Sequence, residues 1–172
     1  MLSALAVRDG AAAILEGAAC PTVDLTLKWP NDVLLGGRKL AGILIESAFA
    51  GNTLERVIIG VGLNVNTRFD EAPDELRRRA TSLREIVGLA LDLDQALATV
   101  LAGFETRYEA LRATRSSPQP EYARHLATLG TRVRVTRGTE VIEGRAFELT
   151  DEGALRLETA AGLVDVSFGD VE

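Results

Sequence analysis

The sequence predicts an α+β fold, with a mixed or largely antiparallel β-sheet in a larger first unit and a small, barrel-sized β-unit at the end. A helical pattern opens the chain, several hairpin-connected strand patterns follow it, and only short strands remain after residue 130. The chain has 172 residues, of which 47% are hydrophobic, so it can bury a substantial core. We expect residues 1–129 to form the first unit and residues 130–172 the second.

The first part of the chain predicts one helix followed by a series of hairpins. Residues 2–18 show the apolar spacing of an amphipathic helix. Strand patterns follow at residues 24–28, 33–35, 38–47 and 56–66, separated by turn residues such as Gly36-Gly37 and Gly51-Asn52. Because short turns join antiparallel neighbours, this arrangement favours a largely antiparallel or mixed sheet over a doubly wound parallel one.

The second part predicts three helices and then a small β-unit. Residues 67–73 are expected to form a loop, and Thr81-Ser82 to begin a short helix with Glu85 in a capping box. Residues 94–112 and 121–129 predict two further helices, the second ending at Gly130. Strand patterns at 132–136, 141–149, 155–159 and 163–167 are typical of an SH3-sized barrel.

Composition excludes several classes of function. A net charge of −6 argues against a broad nucleic-acid surface, and the basic run Arg77-Arg78-Arg79 follows a comparable number of acidic residues. Cys20 and His125 are the only residues of their types, which leaves no basis for a Cys/His zinc site or a His-dependent catalytic triad. The sequence has neither an apolar stretch long enough to span a membrane nor a signal-peptide pattern, so a cytoplasmic location is expected.

Lysine is confined to one short block of the chain. Of the 19 basic residues only Lys28 and Lys39 are lysines, and the only tryptophan, Trp29, lies beside the first of them. A lysine ammonium is a compact charge whose donors can follow a phosphate or carboxylate, whereas arginine presents a fixed fork. The block therefore predicts a site that binds an anion.

The residues around Lys28 support this interpretation. Pro30 restricts the backbone after the strand and so directs Lys28 towards a defined point. Asn31 offers two donors and an acceptor, and the carboxylate of Asp32 can orient a lysine or take part in binding Mg²⁺.

Lys39 lies on the second arm of the hairpin and can reach the same space from another side. Gly42, three residues later, lets a ligand approach the backbone closely. Two lysines that converge on one anion can stabilise the charge that develops during displacement at phosphorus or at an acyl centre. Spacing alone also leaves a plainer interpretation open, in which Trp29 is core, Asn31-Asp32 a turn, and the lysines surface charge.

A second segment, residues 59–66, contains Gly60-Val61-Gly62 within a strand pattern. It lacks the third glycine and the following helix of a dinucleotide fingerprint. The two bare backbone positions indicate either a flat ligand, with Asn64 pairing to its polar edge, or close packing of strands.

These motifs together resemble the biotin protein ligase family. The resemblance rests on Lys28-Trp29-Pro30-Asn31-Asp32, then Arg38-Lys39-Leu40-Ala41-Gly42-Ile43-Leu44-Ile45-Glu46, then Gly60-Val61-Gly62-Leu63-Asn64-Val65-Asn66, in that order. It extends over essentially the whole chain, including the small β-unit at the end. It implies a catalytic domain related to class II aminoacyl-tRNA synthetases, followed by an SH3-like C-terminal domain.

The resemblance also implies an activity and site roles. The family forms biotinyl-5′-AMP from biotin and MgATP, then transfers biotin to a lysine of the biotin carboxyl carrier protein of acetyl-CoA carboxylase. By this likeness Lys28 contacts the phosphate and the reacting carboxylate, and Lys39 and Gly42 bind biotin or its adenylate. Asn31 and Asp32 line the phosphate and metal region, and Asn64 contacts the adenine edge.

The family pattern includes segments that these 172 residues do not contain. A glycine- and arginine-rich biotin loop and an optional DNA-binding domain lie upstream of the first helix in the family, so we expect a catalytic domain truncated at its N-terminus and no repressor role. A homodimer through the sheet edge near residues 38–47 and Phe49 is expected. Two alternatives remain open, a nucleotide-binding, dimerising module without catalysis and a lipoate-attachment ligase.

Overall fold

The computed structural model describes residues 1–20 and 24–172. In that part of the chain, helices alternate with two antiparallel β-sheets. The helices are α1 (Leu2–Gly17), α2 (Asp74–Arg79), α3 (Leu83–Val87), α4 (Leu93–Thr114) and α5 (Gln119–Arg124). The strands are β1 (Leu25–Lys28), β2 (Asp32–Leu35), β3 (Arg38–Ala50), β4 (Thr53–Leu63), β5 (Arg132–Arg137), β6 (Glu140–Leu149), β7 (Leu155–Thr159), β8 (Gly162–Val166) and β9 (Asp170–Val171).

The first sheet has the strand order β1-β2-β3-β4, and each neighbouring pair is antiparallel. Consecutive strands are joined by tight turns, and Gly36 and Gly37 both have positive φ in the β2–β3 turn, where glycine carries no steric penalty. Helix α1 packs against β1, β2 and β3, so alternate side chains of β1 and β2 are buried beneath it. The prediction of successive antiparallel hairpins is confirmed.

The second sheet has the order β8-β7-β6-β5-β9, and all its pairs are antiparallel. Among the described residues the two outer strands, β8 and β9, are not paired with each other, so the strands form a curved row rather than a closed ring. The short strands expected after residue 130 are confirmed, whereas the SH3-like character of this unit stays a prediction.

One hydrophobic core extends through both sheets. It includes residues of the first sheet such as Leu27 and Val33, and residues of the second sheet such as Leu157 and Val166. The segment after α5 joins the two, because Leu27 forms a parallel bridge to Leu126 and its backbone exchanges hydrogen bonds of 2.8 Å with His125 and Ala127. A boundary at 129/130 therefore stays a prediction, and residues on either side of it share buried contacts.

Two helices differ from the expectation. Helix α2 was not predicted, because its six residues are all polar or exposed and show no apolar periodicity. Helix α5 ends at Arg124 rather than near residue 129, because the following residues leave the helix to hydrogen-bond with β1. The capping box at Ser82 is confirmed in part, since Ser82 Oγ accepts from the Glu85 N–H while the Glu85 carboxylate accepts from Thr81.

The far half of the β3–β4 hairpin is exposed. Ile45, Leu44 and Phe49 on β3 are 49%, 64% and 62% exposed, and Val57 and Ile58 on β4 are 46% and 49% exposed. Strand β4 has no partner on its outer edge among the residues that the structure describes. No helix in residues 1–20 and 24–172 is both long and apolar enough to cross a membrane.

Candidate functional site

The two lysines line the same cavity, which has a volume of about 950 Å³. It opens between the β1–β2 turn, the start of β3, helix α2 and the end of the chain. Its lining residues are Lys28, Trp29, Pro30, Asn31, Asp32, Leu34, Gly37, Lys39, Pro73, Glu75, Leu76, Arg78, Arg79, Ala80, Asp170, Val171 and Glu172. A smaller cavity of about 280 Å³ lies between α1 and α4 and contains one ionisable side chain, Asp92, which caps α4.

The β1–β2 turn positions Lys28 directly opposite Asp32. These residues are paired across the two strands and both lie on the face opposite the buried Leu27 and Val33, so their side chains are neighbours. Between them, Trp29 and Pro30 are joined by a cis peptide bond. Lys28 is half-buried and forms no ion pair or side-chain hydrogen bond with the described residues, so its ammonium remains available to a ligand.

Asp32 and Lys39 form an ion pair inside the cavity, with Lys39 Nζ 2.6 Å from Asp32 Oδ1. That carboxylate oxygen is buried, and the lysine approaches it outside the directions that a hydrogen bond prefers, so Oδ1 lacks a well-aligned donor. The Lys39 side chain is 49% exposed, against 17% for Asp32. The pair is therefore ionic and open to solvent on the lysine side, and an anionic ligand can compete for Lys39.

Gly42 lies beside this ion pair. A Cβ atom built on Gly42 would be 3.2 Å from Lys39 Nζ and 3.5 Å from Asp32 Oδ1. Gly42 is paired with Asp32 across β2 and β3, which explains the close approach. The space that the sequence assigned to a ligand near Gly42 is thus occupied by the protein's own ion pair, and Gly42 itself does not line the cavity.

Asn31 is held by backbone on the next strand. Its side-chain amide donates to the Ile43 carbonyl at 2.8 Å, and the Ile43 N–H donates to the Asn31 carbonyl at 2.9 Å. One amide N–H and the side-chain oxygen of this exposed residue remain for a ligand.

Helix α2 contributes charged residues that sequence reasoning did not place in the site. Its C-terminal end lies against β3, because the Thr81 N–H donates to the Lys39 carbonyl at 3.0 Å and Ala80 bridges to Lys39. Arg79 is paired with Glu75, whereas Arg78 forms no ion pair or hydrogen bond with the residues described. The basic run was visible in the sequence, but its neighbouring acidic residues indicated a solvated face.

Asn64 directly follows β4, the strand next to β3. It is not a lining residue of the cavity, although its backbone N–H donates to Leu40, which follows Lys39 in the chain. Its side-chain oxygen accepts from Thr67 at 3.3 Å. The side-chain amide of Asn66 is already hydrogen-bonded, because it donates to the Leu91 carbonyl and accepts from the Leu91 N–H. Four of the six predicted site residues, Lys28, Asn31, Asp32 and Lys39, therefore line one cavity, whereas Gly42 and Asn64 do not.

The cavity can bind a phosphate or carboxylate beside a larger group. Its volume falls in the range of about 300–1,000 Å³ that is typical of small-ligand sites. Its lining balances four cations (Lys28, Lys39, Arg78 and Arg79) with four side-chain carboxylates (Asp32, Glu75, Asp170 and Glu172). The ammonium groups and the Arg78 guanidinium supply donors for several anionic oxygens.

Two family models match the chain. Residues 2–64 match the biotin/lipoate A/B protein ligase family, and this segment contains both lysines and the β1–β2 turn. Residues 128–172 match the biotin protein ligase C-terminal domain, a model whose description names biotin protein ligases alone. The chain belongs to the biotin protein ligase family.

Individual relatives agree with that assignment. The chain is 35% identical over 173 residues to the bifunctional ligase/repressor BirA of Bacillus subtilis, covering 100% of this chain and 51% of that protein. It is 37% identical over 172 residues to the biotin–[acetyl-CoA-carboxylase] ligase of Mycobacterium tuberculosis, covering 99% of this chain and 60% of that protein. The chain thus spans about half to three fifths of the length of these curated relatives.

The fold is similar to that of solved biotin protein ligases. The Aquifex aeolicus biotin protein ligase superimposes with a TM-score of 0.77 at 27% identity, covering 100% of this chain and 73% of that one. A structure of the same ligase in complex with biotin and ATP superimposes with a TM-score of 0.74 at 27% identity, covering 99% and 69% of the two chains. The predicted α+β biotin ligase fold is confirmed.

Proposed function

We propose that this chain carries the anion-binding half of a biotin–[acetyl-CoA-carboxylase] ligase site. In this reaction the biotin carboxylate attacks the α-phosphorus of ATP, the bond to the β-phosphate breaks, and biotinyl-5′-AMP and pyrophosphate form. A lysine amine of the biotin carboxyl carrier protein then displaces AMP. The observation that carries the proposal is the convergence of Lys28, Lys39, Asn31 and Asp32 on one cavity in a chain of this family.

Lys28 would stabilise the charge that grows on the phosphate and carboxylate oxygens during adenylation, because it is the unpaired ammonium of the cavity in the described part of the chain. Lys39 would bind the biotin carboxylate and the adenylate phosphate after leaving Asp32. Asn31 offers its free N–H to the same oxygens. Gly42 would act indirectly, by leaving room for the Lys39–Asp32 pair. Asn64 would contact adenine at the far end of the ligand.

Mg²⁺ would enter with the nucleotide. This ion is usually held by one or two carboxylates together with substrate phosphates, rather than by a dedicated protein cage. No cluster of three potential metal ligands exists in residues 1–20 and 24–172, and Asp32 is the carboxylate next to both lysines. Asp32 therefore suits a shared role, in which it balances Lys39 before the ligand binds and faces the metal–phosphate group afterwards.

Two further parts of the proposal concern organisation. Residues 1–129 would act as the catalytic portion, residues 130–172 as an SH3-like domain, and the protein as a cytoplasmic ligase. The outer edge of β4, which is unpaired within residues 1–20 and 24–172, and the exposed Phe49 support a homodimer formed through the first sheet. The competing function is a nucleotide-binding, dimerising module without ligase activity, which the same cavity and edge would serve.

The test is adenylate formation by the full-length gene product, measured as pyrophosphate release with biotin and MgATP. Lys28→Ala should lower the rate by roughly 10²–10³, as expected when one positioned charge is lost from a transition state. Arg124→Ala, which removes an exposed cation outside the cavity, is the matched control and should retain the wild-type rate. A near-normal rate for Lys28→Ala would reject the role. Nucleotide binding by a wild-type protein that releases no pyrophosphate would favour the module.

A further inference from the structure

We infer that Tyr122 is a positioning residue for the adenylation site. Together with Thr128 and Gly153, it holds the turn between Lys28 and Asp32 in the conformation that adenylation requires. The inference rests on the proposed function, since Lys28 and Asn31 are the groups being positioned. Tyr122 does not line the cavity, and none of the family motifs in the sequence contains it.

Three hydrogen bonds attach the turn to residues that lie about 90 or more positions later in the chain. The Tyr122 hydroxyl donates to the Pro30 carbonyl at 3.1 Å. The Trp29 backbone N–H donates to Thr128 Oγ1 at 3.0 Å, and the Trp29 indole N–H donates to the Gly153 carbonyl at 3.1 Å. Each contact holds a residue located between Lys28 and Asn31.

Of the three hydrogen bonds, the one between the Trp29 backbone and Thr128 is buried and the other two are part-buried, but the side chains that form them lie in the core. Tyr122 is 1% exposed, Trp29 is 3% exposed and Thr128 is 5% exposed. The buried Trp29 N–H is costly to leave without a partner, so loss of Thr128 Oγ1 favours a displaced turn. Loss of the Tyr122 hydroxyl removes the contact that holds the Pro30 carbonyl from the core side. Burial also raises the pKa of the Tyr122 phenol well above its usual range, with a smaller contribution from the negative charge of Asp32. The hydroxyl is therefore a permanent donor at neutral pH.

The turn cannot move without moving the reactive groups. Lys28 ends β1 directly before Trp29, and Asn31 follows Pro30. Because Lys28 is proposed to act on developing charge, a displacement should lower kcat more than it raises KM. Misplacement by about 1 Å through a change outside the reacting groups can lower a rate by about 100-fold.

The first experiment compares the chain's two tyrosines. Tyr122→Phe removes the hydroxyl that donates to Pro30, and Tyr108→Phe removes the hydroxyl of the other tyrosine, which is 47% exposed on α4. On the full-length gene product, Tyr122→Phe should lower kcat for pyrophosphate release about 10- to 100-fold, and Tyr108→Phe should leave it unchanged. The KM values for biotin and ATP should change by only about two- to threefold in either variant. Equal kcat values for the two variants would overturn the inference.

A second pair of variants removes the dependence on Tyr122→Phe folding correctly. Thr128→Val deletes the oxygen that accepts from the Trp29 N–H, whereas Thr128→Ser keeps it. Rescue of kcat by serine but not by valine supports positioning through this hydrogen bond. An equal loss in both, accompanied by equal losses in melting temperature, would indicate packing alone and would contradict the inference.

Trp29 provides a readout that does not require activity. It is the chain's only tryptophan, and it lies in the turn itself. Tyr122→Phe and Thr128→Val should each shift its emission to longer wavelength and increase amide exchange at Trp29, while Tyr108→Phe and Thr128→Ser should not. If the wild-type protein forms no adenylate, the proposed function fails, and these two measurements still decide whether Tyr122 and Thr128 hold the turn. Unchanged emission and exchange would overturn that claim.

Discussion

The two ends of the first sheet contain similar apolar residues but are covered very differently. At the β1–β2 end, Leu27 and Val33 are fully buried in the core. Helix α1 packs on their strands, and residues 125–127 pair with Leu27. At the far end of the β3–β4 hairpin, Leu44 and Phe49 are more than half exposed. Both ends therefore have residues that favour strands, and the end with the candidate site differs in that its apolar side chains are buried.

The difference follows from which elements reach each end. Helix α1 and the residues after α5 pack on β1 and β2, and their contacts fix the turn that presents Lys28. The distal half of the hairpin extends beyond these elements. A rigid support suits groups that must hold a reacting phosphate, whereas an exposed apolar strand edge suits association with another strand.

This difference in burial can be tested by replacing one leucine with alanine at each end of the sheet. Leu27 is 0% exposed and Leu44 is 64% exposed. Leu27→Ala should lower the free energy of unfolding by about 2–5 kcal/mol, the range for a buried leucine. Leu44→Ala should stay within about 0.5 kcal/mol of wild type. Urea denaturation followed by circular dichroism measures both, and equal losses would show that the hairpin end is buried in solution.

Lys39 tests the sharper claim that the covered end holds an anion site. Lys39→Ala should raise the KM for biotin roughly 10- to 100-fold, corresponding to loss of a charge-assisted hydrogen bond of about 1.5–3 kcal/mol. Lys39→Arg should restore little, because a planar guanidinium does not replace a compact ammonium. Steady-state kinetics of pyrophosphate release provide the measurement. Full rescue by arginine would show that the site needs only a positive charge at position 39 and not a lysine ammonium.

The exposed end of the β3–β4 hairpin should affect dimer formation, and we expect this effect to be the smallest of the three. Ile58 lies on the edge strand β4, and Val141 is a similarly exposed β-branched residue on β6 of the second sheet, where it pairs with Thr136 of β5. Sedimentation velocity should show a concentration-dependent dimer that Ile58→Lys weakens and Val141→Lys does not. A wild-type monomer at high concentration, with the adenylate present, would contradict a dimer through β4.

Much of the fold could be predicted because its elements have strong local signals. The apolar spacing in residues 2–18 corresponds to α1, and the Gly36-Gly37 turn corresponds to the β2–β3 connection. Helix α2 was missed because its six residues include one apolar side chain, Leu76, which is too few to show a helical periodicity. The early end of α5 was missed because a long-range pairing, Leu27 with Leu126, overrides the local helical pattern.

The candidate site was predicted in part for the same physical reason. Lys28 and Lys39 were recognised as partners because they are the only lysines and lie on two strands, β1 and β3, of one hairpin series. Tyr122, Thr128 and Arg78 were not recognised, since each reaches the site from a distant segment. Neither residue type nor local spacing distinguishes a tyrosine that hydrogen-bonds to a distant turn from one that only fills a core.

Binding of a non-hydrolysable biotinyl-adenylate analogue tests the central claim most directly. The claim is that Lys28 and Lys39 form one anion site, and isothermal titration calorimetry on the full-length gene product measures it without requiring turnover. The wild-type protein and Arg124→Ala should bind the analogue equally, while the double variant Lys28→Ala/Lys39→Ala should bind it at least about 100-fold more weakly, as expected for the loss of two charge-assisted contacts. Wild-type affinity in the double variant would show that the analogue binds elsewhere and that the two lysines are surface charge.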